Sequence, residues 1–105
     1  MEYKFTTDNF QKEVLESEIP VLVDFYADWC GPCKMMGPVV EKMAEKFDGK
    51  VKVGKLNVDD AGAIAQQYRV ASIPTFIFFK DGQVVETSVG AMSAGALEEK
   101  LNKLL

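Results

Sequence analysis

Apolar residues recur along this chain at two periods, and each change of period marks a change of element. Tyr3 to Phe5 reads as a short opening strand. Asp8 followed three residues later by Gln11 resembles a capping box, and Phe10, Val14 and Leu15 continue as a helical stripe. A first helix is therefore predicted over about Asp8 to Glu16. Pro20 then opens Val21 to Ala27, a nearly unbroken apolar run that suits a central strand covered on both faces. Only Asp24 interrupts it. Further on, Met35, Met36, Val39, Val40, Met43, Ala44 and Phe47 recur at helical spacing opposite Lys34, Glu41, Lys42, Glu45 and Lys46. This predicts a long amphipathic helix ending near Gly49, with its apolar stripe on the core. Pro38 inside it removes one backbone donor and crowds the preceding turn, so a kink is expected there.

Val51 to Val58 reads as a further strand. Asp59 or Asp60 is a candidate cap for a short helix carrying Ala61, Ile64, Ala65 and Tyr68 on one face, which Gly62 weakens by about 1 kcal/mol relative to alanine. Thr75 to Lys80 and Gln83 to Val89 are β-rich runs joined by Asp81-Gly82, a pair suited to the positive dihedrals of a tight hairpin. Ser93 is positioned to cap a terminal helix with Leu97, Leu101 and Leu104 as its stripe. The order β-α-β-α-β-α-β-β-α makes the early strands parallel and adds antiparallel ones through the hairpin. The expected fold is α/β: a mixed sheet of about five strands with about four helices on its two faces, in one domain spanning 1–105.

Composition narrows the function. At 105 residues, 48% of them hydrophobic and 27% charged, the chain is ordinary globular chemistry, with a core that needs no disulfide staples. No segment nears the roughly twenty apolar residues of a membrane helix, and the first residues lack the basic and apolar regions of a secretory signal, so a cytoplasmic location is expected. A net charge of -4, without clustered Lys and Arg, argues against nucleic acid. With no histidine and two cysteines, the chain lacks the His and Cys set of a structural zinc site and has no histidine general base. No bound cofactor or metal is expected.

The remaining chemistry lies at Cys30 and Cys33. Separated by two residues, they would close too small a loop to stabilise the fold much as a staple. At a strand-to-helix junction, however, the spacing puts Cys30 at the helix tip and Cys33 in the first turn, where the sulfurs can meet. Free N–H groups and the helix dipole favour negative charge there, so the Cys30 thiol should ionise readily and attack a target disulfide, leaving Cys33 to resolve the mixed disulfide. Cys33 shares a helix face with Val40 and Phe47 and is expected to be the buried thiol. Asp24, dehydrated on an apolar strand, is either its proton acceptor or a hydrogen-bonded structural acid. Lys55 on the next strand either offsets the rise in the Asp24 pKa or is a solvated strand residue. Pro32 stiffens the intervening loop, Gly31 leaves space beside Cys30, and Trp29 offers an apolar surface with one donor. At Ile73-Pro74-Thr75, a cis bond would turn the chain sharply and leave backbone groups free for a substrate strand.

Trp29-Cys30-Gly31-Pro32-Cys33-Lys34 resembles the active site of the thioredoxin family, and Asp24, Pro38, Lys55, Ile73-Pro74-Thr75, Lys80-Asp81-Gly82 and Val89-Gly90-Ala91 extend the resemblance over essentially the whole chain. The resemblance implies the family's fold and a protein-disulfide reductase, with Cys30 as nucleophile, Cys33 as resolving thiol, Asp24 as buried acid and Pro74 in the cis state. It also implies a docking surface that includes Gly90 and Ala91 beside Trp29, Gly31, Pro32, Ile73 and Pro74. Its implied partners are disulfide-containing proteins, such as reductases needing a dithiol donor, and a flavin-containing thioredoxin reductase that passes on electrons from NADPH. The chain departs from the family pattern at Tyr26, where tryptophan is frequent, at Ala61-Gly62 in place of Asn-Pro, and at Met36-Gly37 before Pro38. Two other readings compete: an oxidase or isomerase of the same fold, which Pro32 in place of the usual histidine disfavours, and a redox-independent binding module built around Trp29, Pro74 and Gly90.

Overall fold

In the computed structural model, which describes residues 1–105, the strands β1 (Tyr3–Phe5), β2 (Val21–Tyr26), β3 (Lys52–Asn57), β4 (Thr75–Lys80) and β5 (Gln83–Val89) form one sheet in the spatial order β1-β3-β2-β4-β5. The apolar run of β2 occupies the centre, with all of its residues but Tyr26 buried. It pairs in parallel with β3 and antiparallel with β4, and β1 pairs in parallel with β3. The hairpin between β4 and β5 turns through Asp81 at φ 54° and Gly82 at φ 76°, as the Asp-Gly pair predicts.

Helices α1 (Gly31–Lys46), α2 (Gly62–Gln67) and α3 (Ala94–Asn102) and a π-helical turn (Gln11–Leu15) complete the two outer layers. Alternation along each strand sends side chains to opposite faces, and the core divides accordingly. On one face Leu22, Val53, Phe76 and Phe78 pack against Met36, Val40, Met43, Phe47, Leu97 and Leu101 of α1, its end and α3. On the other, Val21, Val23, Phe25, Ile77 and Phe79 meet Phe10 just before the π-helical turn, Val14 within it, and Ile64 and Ala65 of α2. At the edge, β1 lies so close to β3 that a Cβ on Gly54 would stand 2.6 Å from the Phe5 ring and 2.7 Å from the Tyr3 carbonyl oxygen. Glycine is required there by contact.

Three local expectations are corrected. The first helix is not an eight-to-nine-residue α-helix capped by Asp8 and Gln11. Thr6 and Asn9 instead exchange bonds, the Thr6 N–H donating to Asn9 Oδ1 at 2.7 Å and the Asn9 N–H to Thr6 Oγ1 at 3.2 Å. This begins the helical structure two residues before the predicted cap, and the following turn closes with an i+5 bond from the Glu16 N–H to the Gln11 carbonyl. Second, neither Asp59 nor Asp60 caps α2, whose N-cap is Ala61 with no side-chain bond. Gly62 consequently sits at the first helical position, not in the interior. Third, Met35 is 76% exposed, because the face of α1 that meets the sheet is centred on Cys33, Met36, Val40, Met43 and Ala44. Pro38 lies inside α1, whose helical residues continue without a break on either side of it. The predicted cap of α3 is present: Ser93 Oγ accepts the Ala96 N–H at 3.1 Å.

Candidate functional site

The buried central strand and the long helix that follows it meet at Ala27 to Cys33, and this junction brings the two cysteines together. Cys30 is the N-cap of α1 in an extended conformation, so its backbone leaves the helix while its side chain turns back onto the first turn. Its Sγ accepts the Cys33 N–H at 3.2 Å. The two residues are disulfide-bonded across a Cα–Cα distance of 5.2 Å. Both cysteines are only 5% exposed, so burial alone does not make Cys33 the more hidden of the two. With Ala27 they form a small apolar cluster, walled by Tyr26, Val58 and Ile73 and separate from the two main cores.

Around this cluster the predicted surface residues take distinct positions. The Ile73–Pro74 peptide is cis, and the Ile73 carbonyl oxygen lies 3.8 Å from Cys30 Sγ. Pro74 is buried, and its carbonyl accepts the Gly90 N–H at 2.8 Å, joining the two loops beside the disulfide. Gly90 has φ 97°, a conformation L side chains rarely adopt. Gly31, Pro32 and Ala91 are exposed. A Cβ on Gly31 would meet nothing within 4 Å, so the space expected beside Cys30 is open. Trp29 is 70% exposed, and its Nε1–H donates to Asp59 Oδ2 at 2.9 Å, which orients the indole and gives Asp59 a role away from the start of α2.

Beneath Cys33 lies a cavity of about 320 Å³ between α1 and the sheet, bordered by Cys33, Asp24, Lys55, Glu2, Glu41 and Pro38. Asp24 is 3% exposed, and its Oδ1 has no hydrogen-bond partner. Loss of hydration pushes its carboxyl up to about 7; the negative charge of Glu2 adds to the rise, and Lys55 opposes it. Lys55 is directly beside Asp24 in the β2–β3 register, with its Nζ 5.2 Å from the centre of the Tyr26 ring. The sequence reading did not single out Glu2. The signal available was alternation, since Glu2 and Lys4 fall opposite the core-facing Tyr3 and Phe5. Without the pairing of β1 to β3, that pattern does not reveal which cavity Glu2 enters.

These residues can exchange a dithiol for a disulfide and hold a proton near neutral pH in the cavity that Cys33 borders. A thioredoxin family model matches residues 2–103. Among curated proteins, Thioredoxin 1 of Nostoc sp. is 49% identical over 100 residues, covering 95% of this chain and 94% of that protein. Thioredoxin 1 of Synechococcus elongatus is 52% identical over 100 residues, with the same coverage of 95% and 94%. The chain is also similar to the chloroplastic M-type thioredoxin of Spinacia oleracea, at 48% identity over 105 residues, 99% of this chain and 58% of that protein.

Proposed function

The chain belongs to the thioredoxin family and is a thiol–disulfide oxidoreductase, and from that premise we propose that it works as a general protein-disulfide reductase with Cys30 as the attacking thiol. The observation that carries this reading is the Cys30–Cys33 pair at the N-terminus of α1, above a cavity that also admits the unpartnered carboxyl of Asp24. In the reduced protein the Cys30 thiolate attacks one sulfur of a target disulfide. That bond breaks, a Cys30–target disulfide forms, and the departing target sulfur takes up a proton. Cys33 then gives its proton to the Asp24 carboxylate, directly or through water, and its thiolate attacks Cys30 Sγ. The second target sulfur leaves, and the two electrons have passed to the target. Helix N–H groups directed at Cys30 favour the charged sulfur in the first step. A carboxyl titrating at about 7 is half ionised at neutral pH, so it can accept the proton in one half-cycle and return it in the other.

Trp29, Gly31, Pro32, Ile73, Pro74, Gly90 and Ala91 form the docking surface in this reading. Its support is their convergence on Cys30 and the exposure of Trp29. Lys55 tunes Asp24 through its charge. We further propose that the chain acts as one monomeric catalytic domain in the cytoplasm, re-reduced by a flavin-containing thioredoxin reductase with electrons from NADPH. No helix is long and apolar enough to cross a membrane.

Insulin turbidity in the presence of dithiothreitol tests the reductase. Wild type should accelerate precipitation, Cys30→Ser should give only the background rate, and Cys33→Ser should trap a covalent Cys30–insulin adduct that thiol reagents release. A strongly reducing equilibrium potential against glutathione is also expected. A folded, reduced wild type without catalysis would sink the reductase reading and leave a binding module. An oxidising potential would turn the function towards disulfide formation.

A further inference from the structure

Glu2 stands just before β1, whose Lys4 pairs with Lys55, which in turn pairs with Asp24 on β2. Alternation puts Glu2, Lys55 and Asp24 on the sheet face covered by α1, and Glu2 borders the same cavity as Asp24 and Cys33. The segment is held down, since the Met1 amino group donates to the Ala44 carbonyl oxygen of α1 at 3.3 Å. Glu2 is half-buried, makes no ion pair, and its carboxylate accepts no hydrogen bond from a protein group.

We propose that Glu2 is a positioning residue for the proton step of the dithiol, its charge holding the proton on Asp24 across the shared cavity. This rests on the reading of Asp24 as the proton acceptor for Cys33. Lys55 from β3 and Glu2 from the chain before β1 bear on Asp24 with opposite sign. Lys34 and Glu41 from α1 and Asp28 from the loop after β2 also border the cavity, while β4 contributes the apolar Phe76 beside Asp24. The Glu2 carboxyl is itself raised, foremost by burial and also by Glu41, while Lys55 and the Met1 amino group oppose the rise. Two carboxyls facing one cavity resist ionising together, so a charge on the half-buried Glu2 disfavours the anion of the more deeply buried Asp24. The pair spaces its two ionisations apart and keeps one proton in the cavity near neutral pH.

The test follows the Asp24 carboxyl carbon by NMR through a pH titration of the full chain, alongside single-turnover insulin reduction from pH 5.5 to 9. Wild type, Glu2→Gln, Glu2→Asp and Asp24→Asn are compared, with thermal melting to verify folding. Glu2→Gln should lower the Asp24 midpoint by roughly half a pH unit, about a threefold change in proton affinity, as expected for two charges sharing a partly solvated space. The pH limb of insulin reduction should move by the same amount, and Glu2→Asp should restore both. If Asp24→Asn leaves the pH profile of wild type intact, the proton-acceptor reading fails and takes this inference with it. If Asp24→Asn changes the profile while Glu2→Gln leaves either the Asp24 midpoint or the limb in place, the role of Glu2 alone is refuted.

Discussion

Replacing Asp24 by asparagine should stabilise the oxidised protein at alkaline pH and leave it nearly unchanged in acid. The carboxyl has an ordinary value of 3.8 in the unfolded chain and about 7 in the fold, where it loses its hydration. Between these values the folded state holds a proton that the unfolded state has released, so stability falls as pH rises. The full cost is reached above pH 7. At 1.36 kcal/mol per pH unit, the rise amounts to about 4 kcal/mol, a large share of a typical domain's stability. Asparagine has nearly the same shape and no charge, so it escapes this cost, although its amide inherits the unpartnered position of Oδ1. The expected gain is therefore about 3–4 kcal/mol at pH 9, about two-thirds of that at pH 6, and close to zero at pH 3.5. Guanidinium unfolding of the oxidised wild type and Asp24→Asn, each from pH 3.5 to 9, measures it directly. A stability difference that stays constant across that range would refute the argument, because a packing or hydrogen-bond effect has no reason to follow the titration of one acid.

Gly54→Ala should destabilise the protein by about 1–3 kcal/mol, read as a lowered thermal midpoint, because the new Cβ would collide with the backbone and side chains of Tyr3 and Phe5. Thr6→Ala should cost about 1 kcal/mol in denaturant unfolding through loss of the acceptor for the Asn9 N–H. Asp8→Ala should stay within about 0.5 kcal/mol of wild type, and equal losses for the two would restore the capping box first expected at Asp8 and Gln11.

Much of the fold was legible wherever the cause of structure is local. The hairpin turn follows from Asp81-Gly82, which supplies two positive dihedrals, and the start of α3 follows from the Ser93 hydroxyl. The unbroken apolar run of β2 could only be covered on both faces, and the sheet places it at the centre. Legibility ended where distant groups compete. Asp59 has the right chemistry for a helix cap, but its carboxylate bonds the Trp29 indole, thirty positions away in the chain. At the N-terminal turn two overlapping capping patterns were available, and the one that wins also seats Phe10 and Val14 against the sheet. Lys52 reinforces it by bonding the Glu13 carboxylate at 2.9 Å and the Glu13 carbonyl at 3.0 Å. Met35 was misplaced because a broad apolar stripe does not say where its centre lies. In the site, Cys30, Cys33 and Asp24 stood out by residue type and context, whereas Glu2 became visible only through the pairing of β1 with β3.

The disulfide and Ala27 form a cluster of their own, outside the two large cores that hold the sheet between its helices. Between the cysteines, both residues face solvent, and position 31 has room for a larger side chain. A side chain added at position 31 therefore meets no packed neighbour, and neither of the two large cores has to adjust to it. The molecule is in this sense modular within a single sheet: a large packed body bearing a small reactive tip whose apolar contacts are its own.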